Sequence, residues 1–201
     1  NDLNNDATDE NDADIVFNNA GGLRADILTN GQTPFTLTHG ILYSVLPFGN
    51  ATVVGDMTGD KIVDLLNQSA TLFKGALQVS GIRYNFYRYS DALPGPQPWA
   101  WGAYGIQVKN RTTGAWEPLQ IDHTYRIATN EFLAPAGQDG YSAFKYVTNI
   151  SYWGDMLDGV ERWVAEAYTA ETPYAGALDA RIARNGTDSG GDVLPVTVLH
   201  H

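Results

Sequence analysis

Three stretches of this 201-residue chain carry side chains suited to gripping a small anionic ligand. The first is FNNAGGLRAD, Phe17 to Asp26. Gly21 and Gly22 have no β-carbon, so backbone N–H groups there can come close to a ligand. Arg24 adds a planar, always-charged fork that matches phosphate geometry. Asn19 offers both a donor and an acceptor. The bland alternative is a plain turn after a strand. The second stretch is LPFGN, Leu46 to Asn50. Phe48 lies there between proline and glycine, so it is either packed under the turn or presented as a stacking face. The third is ATNEFLAPAGQDGYSAF, Ala128 to Phe144. Phe132 follows a strand end, and Asp139 lies in a Gly-Gln-Asp-Gly loop. Its carboxylate could cap a following helix or accept the two hydroxyls of a ribose.

These residue types bind; they do not by themselves react. His39, His123 and the terminal pair His200 and His201 form no HExxH or HxH pattern, and the chain has no cysteine. No Gly-x-Ser-x-Gly elbow, P-loop or telling carboxylate pair is present. Asp56, Asp60 and Asp64 recur every fourth residue, but the last two read as a solvated helix face. His200 and His201 also fit the stub of a purification tag.

Composition narrows the class. Hydrophobic residues make up 43% and charged residues 17%, which suits a folded domain rather than a disordered one. The net charge of −11 argues against a phosphate-tracking binder of nucleic acid polymers and against docking on anionic lipid. No apolar run approaches the roughly 18 residues of a membrane span, and no basic-then-apolar leader opens the sequence. Five Asn-x-Ser/Thr sequons, at Asn50, Asn67, Asn110, Asn149 and Asn185, make N-glycosylation and secretion an expectation.

The elements that must position these residues follow from periodicity. Residues 1–14, NDLNNDATDENDAD, predict an exposed acidic segment ahead of a short strand at Ile15-Val16-Phe17. Leu37, Ile41, Leu42 and Val45 are spaced as a helix from Thr36 to Leu46, capped by Thr36 or Thr38 and ended by Pro47. A β-like piece runs from Thr52 to Met57, and a helix starts at Gly59-Asp60 and continues through Leu72. Leu77 to Tyr89 reads as one strand. A Pro/Gly/aromatic loop containing Trp99 and Trp101 follows, and NRTTG joins a hairpin between Gly105–Val108 and Trp116–Leu119. Tyr125 to Thr129 is another strand, Tyr141 to Val147 a short helical piece and Asp155 to Thr169 an amphipathic helix. The tail from Asn185 is rich in glycine and aspartate. Strands and helices without regular alternation predict an α+β fold.

Taken together and in order, NNAGGLRADI, VLPFGNATVVGDMTGDKIVDLL, LQVSGIRYNF and YRIATNEFLAPAGQDGY resemble the C-terminal domain of the 5′-nucleotidase family, which includes ecto-5′-nucleotidases and UDP-sugar hydrolases. The resemblance covers about Asp14 to Thr148 and continues more weakly through the Trp163 helix. It implies a mixed sheet flanked by helices over residues 15–199. It also implies a partner: an N-terminal metallophosphoesterase domain that holds two divalent ions (zinc, manganese or similar) and performs the hydrolysis. By position, Phe48 and Phe132 would sandwich the base and Asp139 would take the ribose hydroxyls. Arg24 would pair with the phosphate nearest the sugar, Asn19 would make a polar contact to the ligand, and Gly22 would keep the path to the phosphate open.

Two departures stand out. Asp139 lies one position further from Phe132 than the family pattern has it, so a bulge is expected. The family's preceding helix and second phosphate-binding arginine are replaced by the acidic segment. That substitution implies a precursor cut within residues 1–14, leaving this chain associated with a separate catalytic chain. The expected function is nucleotide binding for a secreted nucleotidase of nucleotide catabolism. A non-catalytic nucleotide- or partner-binding effector is the alternative outside enzymes. Nucleotide-sugars, dinucleotides and 2′,3′-cyclic nucleotides are the alternative substrates within them.

Overall fold

A computed structural model describes residues 12–28, 35–88, 101–169, 171–172 and, for the backbone only, 182–184. The acidic residues 1–11, the Trp99 loop, Asn185 and the tail lie outside the described residues, as do His200 and His201. The fold is α+β, and the described residues form two sheets and three α-helices.

The first sheet has five strands in the order β3-β1-β7-β2-β8. They are β1 (Ile15–Asn18), β2 (Ala51–Thr58), β3 (Gln78–Ser80), β7 (Thr124–Asn130) and β8 (Thr148–Asp155). The second has the order β6-β5-β4-β9, from β4 (Ile82–Arg88), β5 (Trp101–Lys109), β6 (Trp116–Pro118) and β9 (Ile182–Arg184). Helices α1 (His39–Val45) and α3 (Met156–Ala167) pack on each other, and α2 (Gly59–Ala70) lies against β4, β5 and the turn at 142–146.

The core explains this arrangement. Ile62, Leu65 and Leu66 put one face of α2 into the same cluster as Ile15, Phe17, Met57, Ile82 and Ile127. Each such side chain contributes about 1.5–3 kcal/mol on burial. Phe17 meets Phe144 edge to face at 5.9 Å. β2 runs into α2 without a loop. The first α2 N–H groups therefore need outside acceptors, and Gly59 and Asp60 donate to the carbonyls of His123 and Ile121 at 2.9 and 3.0 Å. The contact is so close that a Cβ on Gly59 would lie 2.1 Å from the Gln120 carbonyl oxygen.

Three sequence expectations change here. Leu77 to Tyr89 is not one strand: Gly81, at φ +75°, breaks it so that β3 joins the first sheet and β4 the second. β8 was not anticipated; as a half-exposed edge strand it has no alternating pattern to read. The acidic segment is not exposed up to residue 14. Asp12 and Ala13 are buried, because Asp12 pairs with Arg111 and Asp14 accepts the Arg126 backbone N–H at 2.9 Å. Asp60 and Asp64 do form a solvated face, paired with Lys61 at 3.2 and 3.1 Å.

Candidate ligand-binding site

Sheet topology brings the three stretches to one edge. β1 and β7 are parallel neighbours, so both C-terminal ends point the same way. β2 is antiparallel to β7, with Thr52 opposite Asn130, and so begins at that edge. β8 ends there, with Asp155 opposite Ala51. The corner after β1, the loop after β7 and the LPFGN turn before β2 thus project together. Residues 17 to 26 and 128 to 144 meet although more than a hundred positions separate them.

Phe48 is presented rather than packed. It is 56% exposed, and Phe132 at the neighbouring strand end is 38% exposed. Among the described residues no ring contact joins the two. Phe132 is held by its flanks: the Glu131 N–H donates to the Ala51 carbonyl at 3.0 Å, and the Glu131 carboxylate accepts the Ala51 N–H at 3.1 Å. The Arg24 guanidinium lies over the Phe48 ring, 5.7 Å from its centroid, and donates to the Gly21 carbonyl at 3.3 Å. Among the described residues no carboxylate forms an ion pair with Arg24. A shallow depression of about 190 Å³, open to solvent, adjoins Phe48 and is lined by Gly22, Leu46, Asn50, Asp155 and Leu157.

Asn19 and Gly22 occupy places the sequence did not foretell. Asn19 is buried beneath the corner, and its Nδ2 donates to Asp139 Oδ2 at 3.2 Å. It therefore orients the carboxylate. Gly22 is also buried, and a Cβ there would lie 2.9 Å from Asn19 Oδ1. Its missing side chain makes room for the Asn19 amide, and Gly22 also lines the depression beside Phe48. Gly21 is the exposed glycine, with its hypothetical Cβ 3.9 Å from Asp139 Oδ2.

The loop that carries Asp139 runs through left-handed backbone. Gly137, Asp139 and Gly140 have φ of +66°, +55° and +84°. The carboxylate makes no helix cap; its described partner is Asn19. Asn130 was missed. It is fully buried and donates from Nδ2 to Asn18 Oδ1 at 2.7 Å and Asn19 Oδ1 at 3.0 Å, while its Oδ1 accepts the Leu133 N–H at 3.0 Å. A polar residue at the end of an apolar strand was the available signal.

Tyr141 anchors this loop by donating to the Gly75 carbonyl at 3.1 Å. Burial raises its hydroxyl pKa well above the tyrosine range, with the neighbouring Tyr84 and Asp139 adding to the effect. Burial likewise pushes Tyr84 up to about 12, opposed by its hydrogen bond with Ser69. Both groups favour the neutral folded form. The stability they contribute is complete below the unfolded value near 10 and is lost as pH climbs towards 12 and beyond. For Tyr84 the loss amounts to about 3 kcal/mol at most. The urea midpoint is expected to fall steeply above pH 10, and Tyr84→Phe to flatten part of that fall. A midpoint that stays constant through this window would contradict the burial argument.

The described sequon asparagines make local contacts. Asn67 Oδ1 accepts the Ala103 N–H at 2.9 Å, Asn110 Nδ2 donates to Glu117 at 2.9 Å, and Asn149 Nδ2 donates to Asp56 at 2.7 Å. Asn50 sits in the turn before β2, where its carbonyl accepts the Met156 N–H. Among the described residues no three histidine, aspartate or glutamate side chains converge to hold a metal ion. No described helix is long and apolar enough to cross a membrane.

Comparison with known proteins decides the family. Residues 2–146 match the family described as 5′-nucleotidase, C-terminal domain. The chain belongs to that family. The match begins inside the acidic segment and ends just past the Asp139 loop. A cell wall protein of Listeria monocytogenes is 37% identical over 141 residues, covering 67% of this chain and 16% of that protein. The NAD 5′-nucleotidase of Haemophilus influenzae is 30% identical over 160 residues, covering 77% and 24%. The crystal structure of a 5′-nucleotidase precursor from Thermus thermophilus superposes with a TM-score of 0.67 at 28% identity, covering 86% of this chain and 31% of that one. The chain thus spans less than a third of these relatives, which are hydrolytic where their names give an activity.

Proposed function

We propose that this chain grips the nucleotide for a secreted or surface-exposed phosphohydrolase that releases a nucleoside and phosphate. The observation that carries the reading is the convergence at one sheet edge of two exposed phenylalanines, an arginine without a described carboxylate partner and an oriented carboxylate. The base stacks between Phe48 and Phe132. Asp139 accepts ribose hydroxyls through oxygen lone pairs that Asn19 leaves free. Arg24 swings from Phe48 to the phosphate.

The shallowness of the depression supports a partner. Ligand pockets usually bury most of the ligand, whereas the depression beside Phe48 is open to solvent and Phe132 is not among the residues that line it. A second domain must supply the other wall. That domain also supplies the metal ligands, which the described residues of this chain do not assemble. Bound there, two divalent ions would activate water and stabilise the charge that develops on the phosphate.

The test is phosphate release from a 5′-mononucleotide by the natively purified protein, with and without divalent metal. Metal-dependent release is expected, and this chain alone is expected to bind nucleoside without hydrolysis. Failure of this chain to bind any nucleoside would overturn the reading. The kinship with a NAD 5′-nucleotidase favours a dinucleotide as a second substrate, so NAD belongs in the same assay.

A further inference from the structure

We propose that Asn130 is a positioning residue: it fixes the direction of a carboxamide relay that ends on Asp139, and through it the preference of the site for ribose. This inference rests on the nucleotide-binding reading above. The relay begins at the Leu133 N–H, which donates to Asn130 Oδ1. That acceptor bond fixes which end of the amide faces β1. Both hydrogens of Asn130 Nδ2 then go to Asn18 Oδ1 and Asn19 Oδ1. With its oxygen so engaged, Asn19 can turn only its Nδ2 towards Asp139. Every link has one polarity, and the last is a donor aimed at a carboxylate oxygen.

Burial enforces the direction. Asn130 and Asn19 are shielded from water, so a reversed amide would leave donors facing donors and acceptors facing acceptors. The neighbouring glycine tightens the constraint, since Gly22 packs directly against Asn19 Oδ1. Asp139 is thereby held by its Oδ2 on backbone in the left-handed region, with the exposed Gly21 close by. The relay ties the corner that carries Arg24 to the loop that carries Phe132 and Asp139, yet none of its three asparagines needs to touch the ligand.

The experiment measures calorimetric affinity of the intact protein for adenosine and for 2′,3′-dideoxyadenosine. Wild type is expected to prefer adenosine by about tenfold or more, the worth of a hydroxyl bonded to a charged acceptor. In Asn130→Asp the carboxylate must accept from β1, so Asn19 reverses and presents its oxygen to Asp139. Adenosine affinity is expected to fall to the dideoxyadenosine level, while dideoxyadenosine affinity stays within about threefold. The double variant Asn130→Asp with Asp139→Asn restores complementary polarity and is expected to recover part of the preference. Asn19→Asp keeps both Asn130 donations and breaks only the final link. It carries the same expectation and decides the matter should Asn130→Asp fail to fold. A preference that survives in the folded variants overturns the relay alone. A wild type that binds neither nucleoside overturns the functional reading on which it rests.

Discussion

Replacing Phe48 and Phe132 together by alanine is expected to weaken nucleoside binding by about a thousandfold. Stacking of a base on an aromatic side chain contributes about 1–3 kcal/mol per face when measured by truncation. Two faces at about 2 kcal/mol each give 4 kcal/mol, which is close to three decades in affinity. Each single variant is expected to lose about ten- to thirtyfold, because the remaining ring still covers one face. Folding should not respond. Both rings are well exposed, and substitutions at such sites usually stay within about 0.5 kcal/mol. The decisive comparison therefore pairs calorimetric affinity with thermal unfolding on the same samples. A loss below threefold with unchanged unfolding would remove the base sandwich. The loss should also be insensitive to salt, since no net charge is involved.

Local chemistry made much of this site legible. The glycines and arginine of the first corner, the aromatic between Pro47 and Gly49, and the Thr38 cap of α1 are short-range signals; Thr38 caps α1 and Arg24 lies over Phe48. What escaped the sequence depends on pairing at a distance. Asn130 gains its importance from a β7–β1 neighbourhood that joins residues more than a hundred positions apart. Nothing in NNAGG says which amide faces inward, so the Asn19 bond to Asp139 was not readable there. Asp12 and Ala13 look like more of an acidic tail until Arg111, 99 residues later, arrives to pair with Asp12. Gly81 hides a change of sheet inside an apolar run, because a positive φ leaves no trace in hydrophobic periodicity. Types of side chain were readable; the partners that orient them were not.

Arg24→Ala is expected to erase the distinction between a nucleotide and its nucleoside. In the structure the guanidinium rests on Phe48 and the Gly21 carbonyl, both weak partners that a phosphate outcompetes. Its backbone is fixed by donation to the Val45 carbonyl at 2.9 Å, so the side chain pivots from a defined point. A charge-assisted contact contributes about 1.5–3 kcal/mol, and the exposure of Arg24 lowers this towards about tenfold to thirtyfold in affinity. Wild type should thus bind a 5′-monophosphate more tightly than the nucleoside by about that factor, with the gap narrowing as salt rises. In Arg24→Ala the two affinities should converge at every ionic strength. Nucleoside affinity should hold or rise slightly, because removing the guanidinium uncovers a face of Phe48. This direction separates an anion-binding role from a structural one. If Arg24 merely propped up Phe48, its loss would weaken nucleoside and nucleotide alike and leave their ratio intact. Titration of both ligands into wild type and variant at low and high salt reads that ratio directly, and an unchanged ratio would assign the phosphate to some other group.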